Sequence, residues 1–429
     1  MISSELKQAI FNRRMLICVF TGFASGLPLY ILFQLVPAWL RTEGVGLKEI
    51  GFFSLIQLPY AWKFVWAPLL DRYSLLPLGR RRSWMLVTQL LLLVSVAGLG
   101  FFSPVSQLWT IAALSVAVAF FSATQDVTLD AYRRELLPDA ELGLGNSIHV
   151  QAYRISGLIP GALSLILADY IPWQSVFIVT AAFMLVGVAM TLLIKEALVA
   201  PQIPKDLRTA VVTPFQDFFQ TNGWRGGLLV LAFLFFYKLG DNMATALQTP
   251  FFIDMGFSKT EIGVIAKTSS MIAMTIGIVV GGIVMIKLSI NRALWLFGFV
   301  QIASILGFAA LAEIGHNNIA LAIAMGFEYL GVGLGTAAFT AFIARTTNPA
   351  FAATQIALFT ALAVLPRTFA NATTGFIVEQ IGWTQFYFLC TALAIPGMLM
   401  LFKVAPWHEN IAKNANSTFS NNGVTDKHE

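Results

Sequence analysis

The sequence predicts an all-α polytopic membrane protein, twelve transmembrane helices in two six-helix bundles. Composition, the length of its apolar runs and an internal repeat predict it. Of 429 residues, 57% are hydrophobic and only 11% charged, against roughly 25% charged in soluble domains; mean hydropathy is +0.75. Apolar stretches able to cross ~30 Å of hydrocarbon recur along the chain. Backbone groups in lipid must be satisfied internally, by helices or a closed barrel. Barrel strands would alternate apolar and polar residues over ~10 positions, whereas 84–102 and 176–194 are apolar almost all round.

Apolar runs bounded by charge, Gly and Pro place α1 to α6 near 15–40, 49–70, 84–104, 107–130, 143–168 and 173–195. A second set, α7 to α12, follows near 225–250, 260–286, 291–314, 318–343, 353–378 and 383–404. The expected organisation is an N-terminal bundle (1–195), a linker (196–224), a C-terminal bundle (225–404) and a tail (405–429). The first apolar run is too long for a cleaved signal and is read as a mature helix. In the linker, Phe215, Phe218 and Phe219 share one helical face, which predicts a short interfacial helix. The tail, rich in Asn and Ser, has a composition that predicts disorder.

Basic residues orient the chain. With both termini inside, 19 of the 27 Lys and Arg fall in cytoplasmic segments, Arg72, Arg80, Arg81 and Arg82 among them. Outside segments hold only three, Arg41, Lys48 and Lys259. The positive-inside rule therefore places both termini in the cytoplasm and accounts for the basic balance without nucleic acid.

The two halves repeat. Glu49-Ile50-Gly51 recurs as Glu261-Ile262-Gly263 at a shift of 212, and Trp84 as Trp295 at 211. Ile171-Pro172-Trp173 returns as Ile381-Gly382-Trp383 at 210, and Arg154 as Arg367 at 213. Near-constant offsets make the halves parallel repeats about an axis along the membrane normal, the major facilitator architecture.

The remaining five basic residues lie inside the helices: Lys63, Arg154, Lys238, Lys267 and Arg367. Asp126, Asp130, Asp241 and Glu328 join them. A charge at mid-bilayer costs at least ~2.5–3.5 kcal/mol on insertion scales, so such groups face a cavity or a partner. Nine of them predict a polar cavity between the halves. Asp126 and Asp130 share a face of α4 at i,i+4, and Lys238 and Asp241 are spaced for a local pair. Asp126, the deeper of the first two, is the better candidate proton carrier; Asp130, close to Arg133 and Arg134, stays in the proton-coupling set but reads more readily as a salt bridge or gate at the cytoplasmic helix end. Asp241 and Glu328 complete the proton-coupling set. Arg154 and Arg367 suit an anion, since guanidinium grips carboxylate or phosphate bidentately whereas ammonium is a point charge; the alternative is a brace between helices. Lys238, Lys267, Lys63, Gln125, Tyr153 and Tyr237 complete the candidate binding set, and Trp62, Tyr60 and Tyr329 could serve as further aromatic platforms.

Other features carry less. Cys18 and Cys390 sit in apolar runs and read as small buried hydrophobes. Gly331-Val332-Gly333-Leu334-Gly335 is no dinucleotide fingerprint, because no strand precedes it and the third glycine is misplaced; close helix packing or a hinge is the better reading. The histidines show no metal spacing, and His149 reads as a polar residue at the membrane edge. No cofactor, metal or catalytic constellation is expected, which argues against an enzyme.

The loop Asp71-Arg72-Tyr73 with Gly79-Arg80-Arg81-Arg82 resembles the major facilitator signature after the second helix, and serves as the candidate gating loop. It departs in having Ala67 where that signature begins with Gly and in the inserted residues 74–78. Those departures match a narrower group. The blocks GFASGLPLY (22–30), EIGFFSL (49–55), KFVWAPLLDRY (63–73), GRRRSWMLVTQ (79–89), SATQDVTLDAYRRELLP (122–138), YKLGDNM (237–243) and ATQIALFTAL (353–362) resemble the AmpG muropeptide permease family over about 10–405.

The resemblance implies the cargo, which composition does not. Such permeases import N-acetylglucosaminyl-1,6-anhydro-N-acetylmuramyl peptides across the bacterial inner membrane, driven by protons, for cell-wall recycling. In some Gram-negative bacteria those muropeptides influence β-lactamase induction and so antibiotic resistance. The expected partners are muropeptide, protons and lipid, with a monomeric protein. Two alternatives remain: a transporter of another bulky anion such as an acetyl-coenzyme A-like ester, and a muropeptide sensor that moves nothing.

Overall fold

The computed structural model describes residues 12–196, 207–346 and 352–407. Ten helices among them are long and apolar enough to span a membrane, which is consistent with twelve crossings once two irregularities are included. One is α2, which the composition predicts as continuous over 49–70. It runs as short pieces, Leu47–Phe52, Phe53–Gln57, Leu58–Trp62, Lys63–Val65 and Ala67–Arg72, the second and fourth being 3-10 turns. Pro59 has no N–H to continue an α-type ladder, and the turn before it tightens so that Leu58 N bonds Leu55 O. The other is Ala352–Val404, in which Gly382 at φ 77° breaks the run into α11 and α12. Only glycine adopts that left-handed conformation without strain.

The remaining spans are α1 (Arg13–Thr42), α3 (Arg80–Leu99), α4 (Leu108–Leu136), α5 (Leu144–Leu167), α6 (Trp173–Leu193), α7 (Gly223–Ala246), α8 (Lys259–Met285), α9 (Ile290–Ile314) and α10 (Asn318–Thr346). Helix α4 continues six residues past its expected end, so Asp130, Arg133 and Arg134 all lie on it. In the linker, residues 207–222 are helical up to Gly223 at φ 68°. There Phe218 is buried in the C-terminal core and Phe219 packs on Trp224, ring centroids 4.4 Å apart; the Phe215 side chain lies outside the description. The rest of the linker and tail, 197–206 and 408–429, also lies outside the described residues.

Large apolar residues face outward on the spans. On α8, Ile272, Ile276, Val279, Val280 and Ile283 form an exposed ridge at helical spacing, as a lipid-facing surface requires. Close helix crossings organise the interior. A Cβ at Gly22 of α1 would collide with His149 O of α5, and one at Gly26 with Tyr153 O. His149 is buried at this crossing, its Nδ1 3.1 Å from Thr21 Oγ1. The α10 glycines confirm close packing: a Cβ at Gly333 would come 2.6 Å from Met274 O of α8, and one at Gly335 would meet Gln301 of α9. Both cysteines are free and buried.

The two halves meet symmetrically. Helix α2 crosses α11, and α5 crosses α8, and the repeated Glu-Ile-Gly motif supplies the small residue at both crossings. A Cβ at Gly51 would lie 3.1 Å from Ala372 O, and one at Gly263 would lie 2.9 Å from Ala162 O. Adding a side chain at either forces backbones apart, an overpacking cost of about 1–3 kcal/mol. Gly51→Leu and Gly263→Leu should each hold the halves apart here. A Lys48→Cys/Glu379→Cys pair that cross-links in the parent should then cross-link several-fold more slowly.

These crossings lie at the end opposite the basic loops, and charged latches close the same end. Arg41 Nε pairs with Asp254 Oδ1 at 2.5 Å, and Trp383 Nε1 donates to Asp254 Oδ2 at 3.0 Å. Asp169 Oδ2 accepts from Thr260 N (2.7 Å) and Oγ1 (2.6 Å), while Lys259 Nζ stands 3.2 Å from Oδ1. Lys48 N donates to Glu379 Oε1 at 3.0 Å. Partial burial works to raise the Asp169 carboxyl, but the Thr260 bonds and the Lys259 ammonium outweigh it and hold it below its ordinary value. This latch is therefore fully present at neutral pH and is lost only as pH falls below the ordinary carboxylate range, ~4.

Candidate functional site

Between the halves lies a cavity of about 410 Å³, lined from α1, α5, α8, α10 and the short helix Gln248–Asp254 that follows α7. Three of the spans carry a π turn where they meet it: Ile31–Leu35 in α1, Ile159–Leu163 in α5 and Ile262–Ala266 in the first turns of α8. A π turn re-aims side chains within a helix and occurs often at functional sites. In α5 the cause is Pro160, which cannot donate to the preceding turn. The three turns aim Gln34, Gly161 and Lys267 at one another.

Arg154 and Lys267 both line this cavity. Lys267 Nζ reaches across the halves to Gln34 Oε1 at 3.0 Å and sits 5.1 Å from the Tyr30 ring centre. A Cβ at Gly161 would be 3.1 Å from the same ammonium, so glycine leaves it room. Among the described residues no carboxylate stands within ion-pair distance of Arg154 or Lys267. Two cations without a protein counter-charge in one cavity are chemically suited to an anion. Tyr329 lines it too, its hydroxyl donating to Gln248 Oε1 at 3.0 Å. Tyr153 packs on Tyr30 with ring centroids 5.5 Å apart, on the side facing Asp126.

A second cluster lies in the N-terminal half. Ser25 Oγ donates to Asp126 Oδ1 at 2.5 Å, and Lys63 Nζ stands 3.8 Å from Oδ2. Lys63 occupies one of the 3-10 turns of α2, so the broken helix delivers its ammonium to α4. Asp130 pairs with Arg133 at 3.0 Å on α4 and is half exposed. Gln125 is fully buried, its Nε2 donating to Ala24 O at 2.7 Å; it joins α4 to α1 and does not line the cavity.

The C-terminal half holds a separate cavity of about 230 Å³ that brings Lys238, Asp241 and Arg367 together. Lys238 Nζ is 3.3 Å from Asp241 Oδ2. Glu328 is completely buried and accepts from Ser304 Oγ at 2.7 Å. The symmetry-related Arg154 and Arg367 thus line different cavities. Tyr237 packs inside the core, its hydroxyl donating to Leu294 O at 2.9 Å, and its ring stacks on Phe339 at 5.9 Å.

The signature loop forms a tight ion network within the N-terminal half. Arg81 bridges Asp71 Oδ1 (2.6 Å) and Glu135 Oε1 (2.8 Å), and Arg80 adds a 3.4 Å contact to Glu135 and donates to Asp71 O. Glu196 accepts from the backbone N–H groups of Arg81 (2.7 Å) and Arg82 (3.0 Å), capping the positive end of α3. Gly79, at φ 97°, gives that carboxylate room, for a Cβ there would meet it at 2.6 Å. The Arg82 side chain caps α6 through Thr191 O and Leu192 O, both at 3.0 Å. Arg72 lies 5.6 Å from the Tyr73 ring.

Several participants escape a search for charge. Gln34, Gln248 and Ser25 are uncharged and ordinary in composition, although a polar side chain in the apolar α1 is itself a signal. Glu135 and Glu196 sit at helix ends, where a carboxylate is unremarkable until its partner is known.

The pattern of the Major Facilitator Superfamily matches residues 18–369. The chain is 41% identical to the anhydromuropeptide permease of Escherichia coli (strain K12), covering 93% of this chain and 81% of that one. It is 50% identical to an uncharacterised protein of Haemophilus influenzae, covering 94% and 97%. Among solved structures, a mutant of the nucleoside transporter NupG superposes with a TM-score of 0.71 at 13% identity, covering 91% of this chain and 100% of that one. A bacterial homolog of the human lysosomal transporter Spinster, inward-facing and unoccupied, gives 0.69 at 14% identity, covering 91% and 96%. The seven matching blocks, the signature loop and these likenesses have one reading: the chain is a multi-pass membrane transporter that belongs to the major facilitator superfamily and, within it, to the AmpG-type permeases.

Proposed function

We propose that this transporter imports N-acetylglucosaminyl-1,6-anhydro-N-acetylmuramyl peptides from periplasm to cytoplasm, coupled to protons, for peptidoglycan recycling. The observation that carries the proposal is the cavity between the halves, where Arg154 and Lys267 stand without a carboxylate partner among the described residues. The peptide moiety of such a cargo supplies carboxylates of the missing sign. The 41% identity to a permease named for anhydromuropeptides supports the choice of cargo. The excess of Lys and Arg in one set of loops supports cytoplasmic termini in an inner membrane. In that orientation the latches Arg41–Asp254 and Lys259–Asp169 close the periplasmic side. Asp126, between Ser25 and a movable Lys63, is the proposed proton carrier.

The test is uptake of labelled anhydromuropeptide into proteoliposomes under an imposed pH gradient, with coenzyme A esters as competitors. Accumulation that unlabelled muropeptide abolishes and coenzyme A esters leave alone is the expected result. Binding without accumulation would make the protein a sensor. Competition by the esters alone would move the cargo to another bulky anion.

Arg367 has a separate test. Its guanidinium lines the cavity that also holds Lys238 and Asp241. If it grips a cargo carboxylate with two parallel bonds, Arg367→Lys keeps the charge but loses the fork. Muropeptide affinity should then fall by roughly tenfold, one charge-assisted bond; unchanged affinity in a binding titration assigns Arg367 to bracing α11 against α7.

A further inference from the structure

The C-terminal half buries two carboxyls, from Asp241 and Glu328, against one another. Glu328 is 0% exposed and Asp241 7%, and their carboxyl groups lie within hydrogen-bonding reach. Two of the four oxygens have partners elsewhere: Glu328 Oε2 accepts from Ser304 Oγ, and Asp241 Oδ2 faces Lys238 Nζ. Among the described residues, Glu328 Oε1 and Asp241 Oδ1 are buried without a hydrogen-bond partner. On the neighbouring α9, Gln301 is 4% exposed with both side-chain polar atoms unpartnered. It borders, with Asp241, a void of about 10 Å³, at the lower limit for one water.

Two ionised carboxylates cannot remain adjacent in a buried site with a single ammonium beside them; one takes up a proton and donates it to the other. We propose that Glu328 and Asp241 form a second proton site, one exchangeable proton shared between Glu328 Oε1 and Asp241 Oδ1. The other titratable groups facing the pair are Lys238 and Tyr237 from α7, Tyr329 from α10, Arg367 from α11, and Tyr387 and Cys390 from α12. Only Lys238 forms an ion pair with it among the described residues. The three tyrosines and the cysteine are neutral in the interior. Asp241 and Lys238 neutralise one another as an ion pair, and the proton leaves Glu328 neutral; Arg367 lines the same cavity but, among the described residues, stands outside ion-pair distance of either carboxyl. A sodium ion would balance the same charge, but it would have to sit beside the Lys238 ammonium.

The link to transport rests on the reading above. Lys238 and Arg367 share their cavity with Asp241, so a cargo carboxylate entering it competes with Asp241 for Lys238. Withdrawing Lys238 takes away the ion-pair partner of Asp241, and the shared proton is held more tightly. Cargo and proton then bind cooperatively, as symport demands.

The site can be tested without cargo. Purified full-length protein carrying Asp126→Asn, which removes the other candidate carboxyl, is examined by infrared spectroscopy at neutral pH. A carbonyl stretch of a protonated carboxyl is expected. It should disappear when Glu328→Gln is added and shift when Asp241→Asn is added, while exchanging potassium for sodium chloride leaves it in place. No such stretch in the Asp126→Asn protein, its survival in Glu328→Gln, or its loss on adding sodium at constant pH overturns the proposal. If Glu328→Gln does not fold, Asp241→Asn decides alone: a shifted stretch supports the shared proton and an unaltered one refutes it. Absence of muropeptide uptake would defeat the cargo reading and leave this spectrum unchanged.

Discussion

Replacing Lys267 with alanine should raise the Kd for anhydromuropeptide by about 10- to 100-fold, the loss of one hydrogen bond to a charged group, ~1.5–3 kcal/mol. Its ammonium bridges the halves within the cavity, held by Gln34 and Tyr30 on one side and carried by α8 on the other. Removing it deletes a cargo contact and a tie between the halves together. Lys267→Arg should not restore binding, because the space beside Gly161 admits a compact ammonium and a guanidinium fork is larger. Gln34→Ala, which keeps the charge but loses its anchor, should fall between the two. Equilibrium binding to the purified protein measures all three. Affinity in Lys267→Ala within about threefold of the parent would remove this lysine from the cargo site, since a charged hydrogen bond is worth more than that.

Replacing Asp126 with asparagine should abolish accumulation driven by a pH gradient while leaving exchange of external for internal muropeptide. Asparagine keeps the shape and still accepts from Ser25 Oγ, but it cannot carry a proton. The 3.8 Å separation between Lys63 and Asp126 is a pair close enough to stabilise the carboxylate and loose enough to part. In Asp126→Asn the lysine loses its counter-charge, so coupling fails at the carrier itself. Lys63→Gln should retain some accumulation with an altered pH dependence, since the carboxyl remains. Paired assays of gradient-driven uptake and counterflow separate the two functions. Normal accumulation by Asp126→Asn would place the proton elsewhere, with Glu328 and Asp241 the next candidates.

The charge inventory was legible along the chain because each of those residues violates the apolar pattern around it. Which charge meets which was not. Lys63 and Asp126 are 63 positions apart and Lys267 and Gln34 are 233 apart; no local periodicity relates them. The repeat pairs Arg154 with Arg367 as two arginines suited to an anion, yet they line separate cavities. Tyr237 shows the same limit. A tyrosine one position before Lys238 looks accessible, but its hydroxyl ends in the core on Leu294 O. Neighbouring residues on a helix point about 100° apart.

Hydropathy, the Lys and Arg balance and the near-constant offset of the repeats by themselves determined a two-halved membrane protein, because lipid admits so few ways to satisfy a backbone. The repeated Glu-Ile-Gly motif was visible there as a pattern without a reason. Tertiary structure supplied it: Gly51 and Gly263 are where α2 meets α11 and α8 meets α5, and only a missing Cβ lets those backbones cross. Structure alone also decided which cations lack a carboxylate and which carboxyls lie together. Compensation of charge depends on distances of a few ångströms between helices, and these are set by packing across the whole bundle.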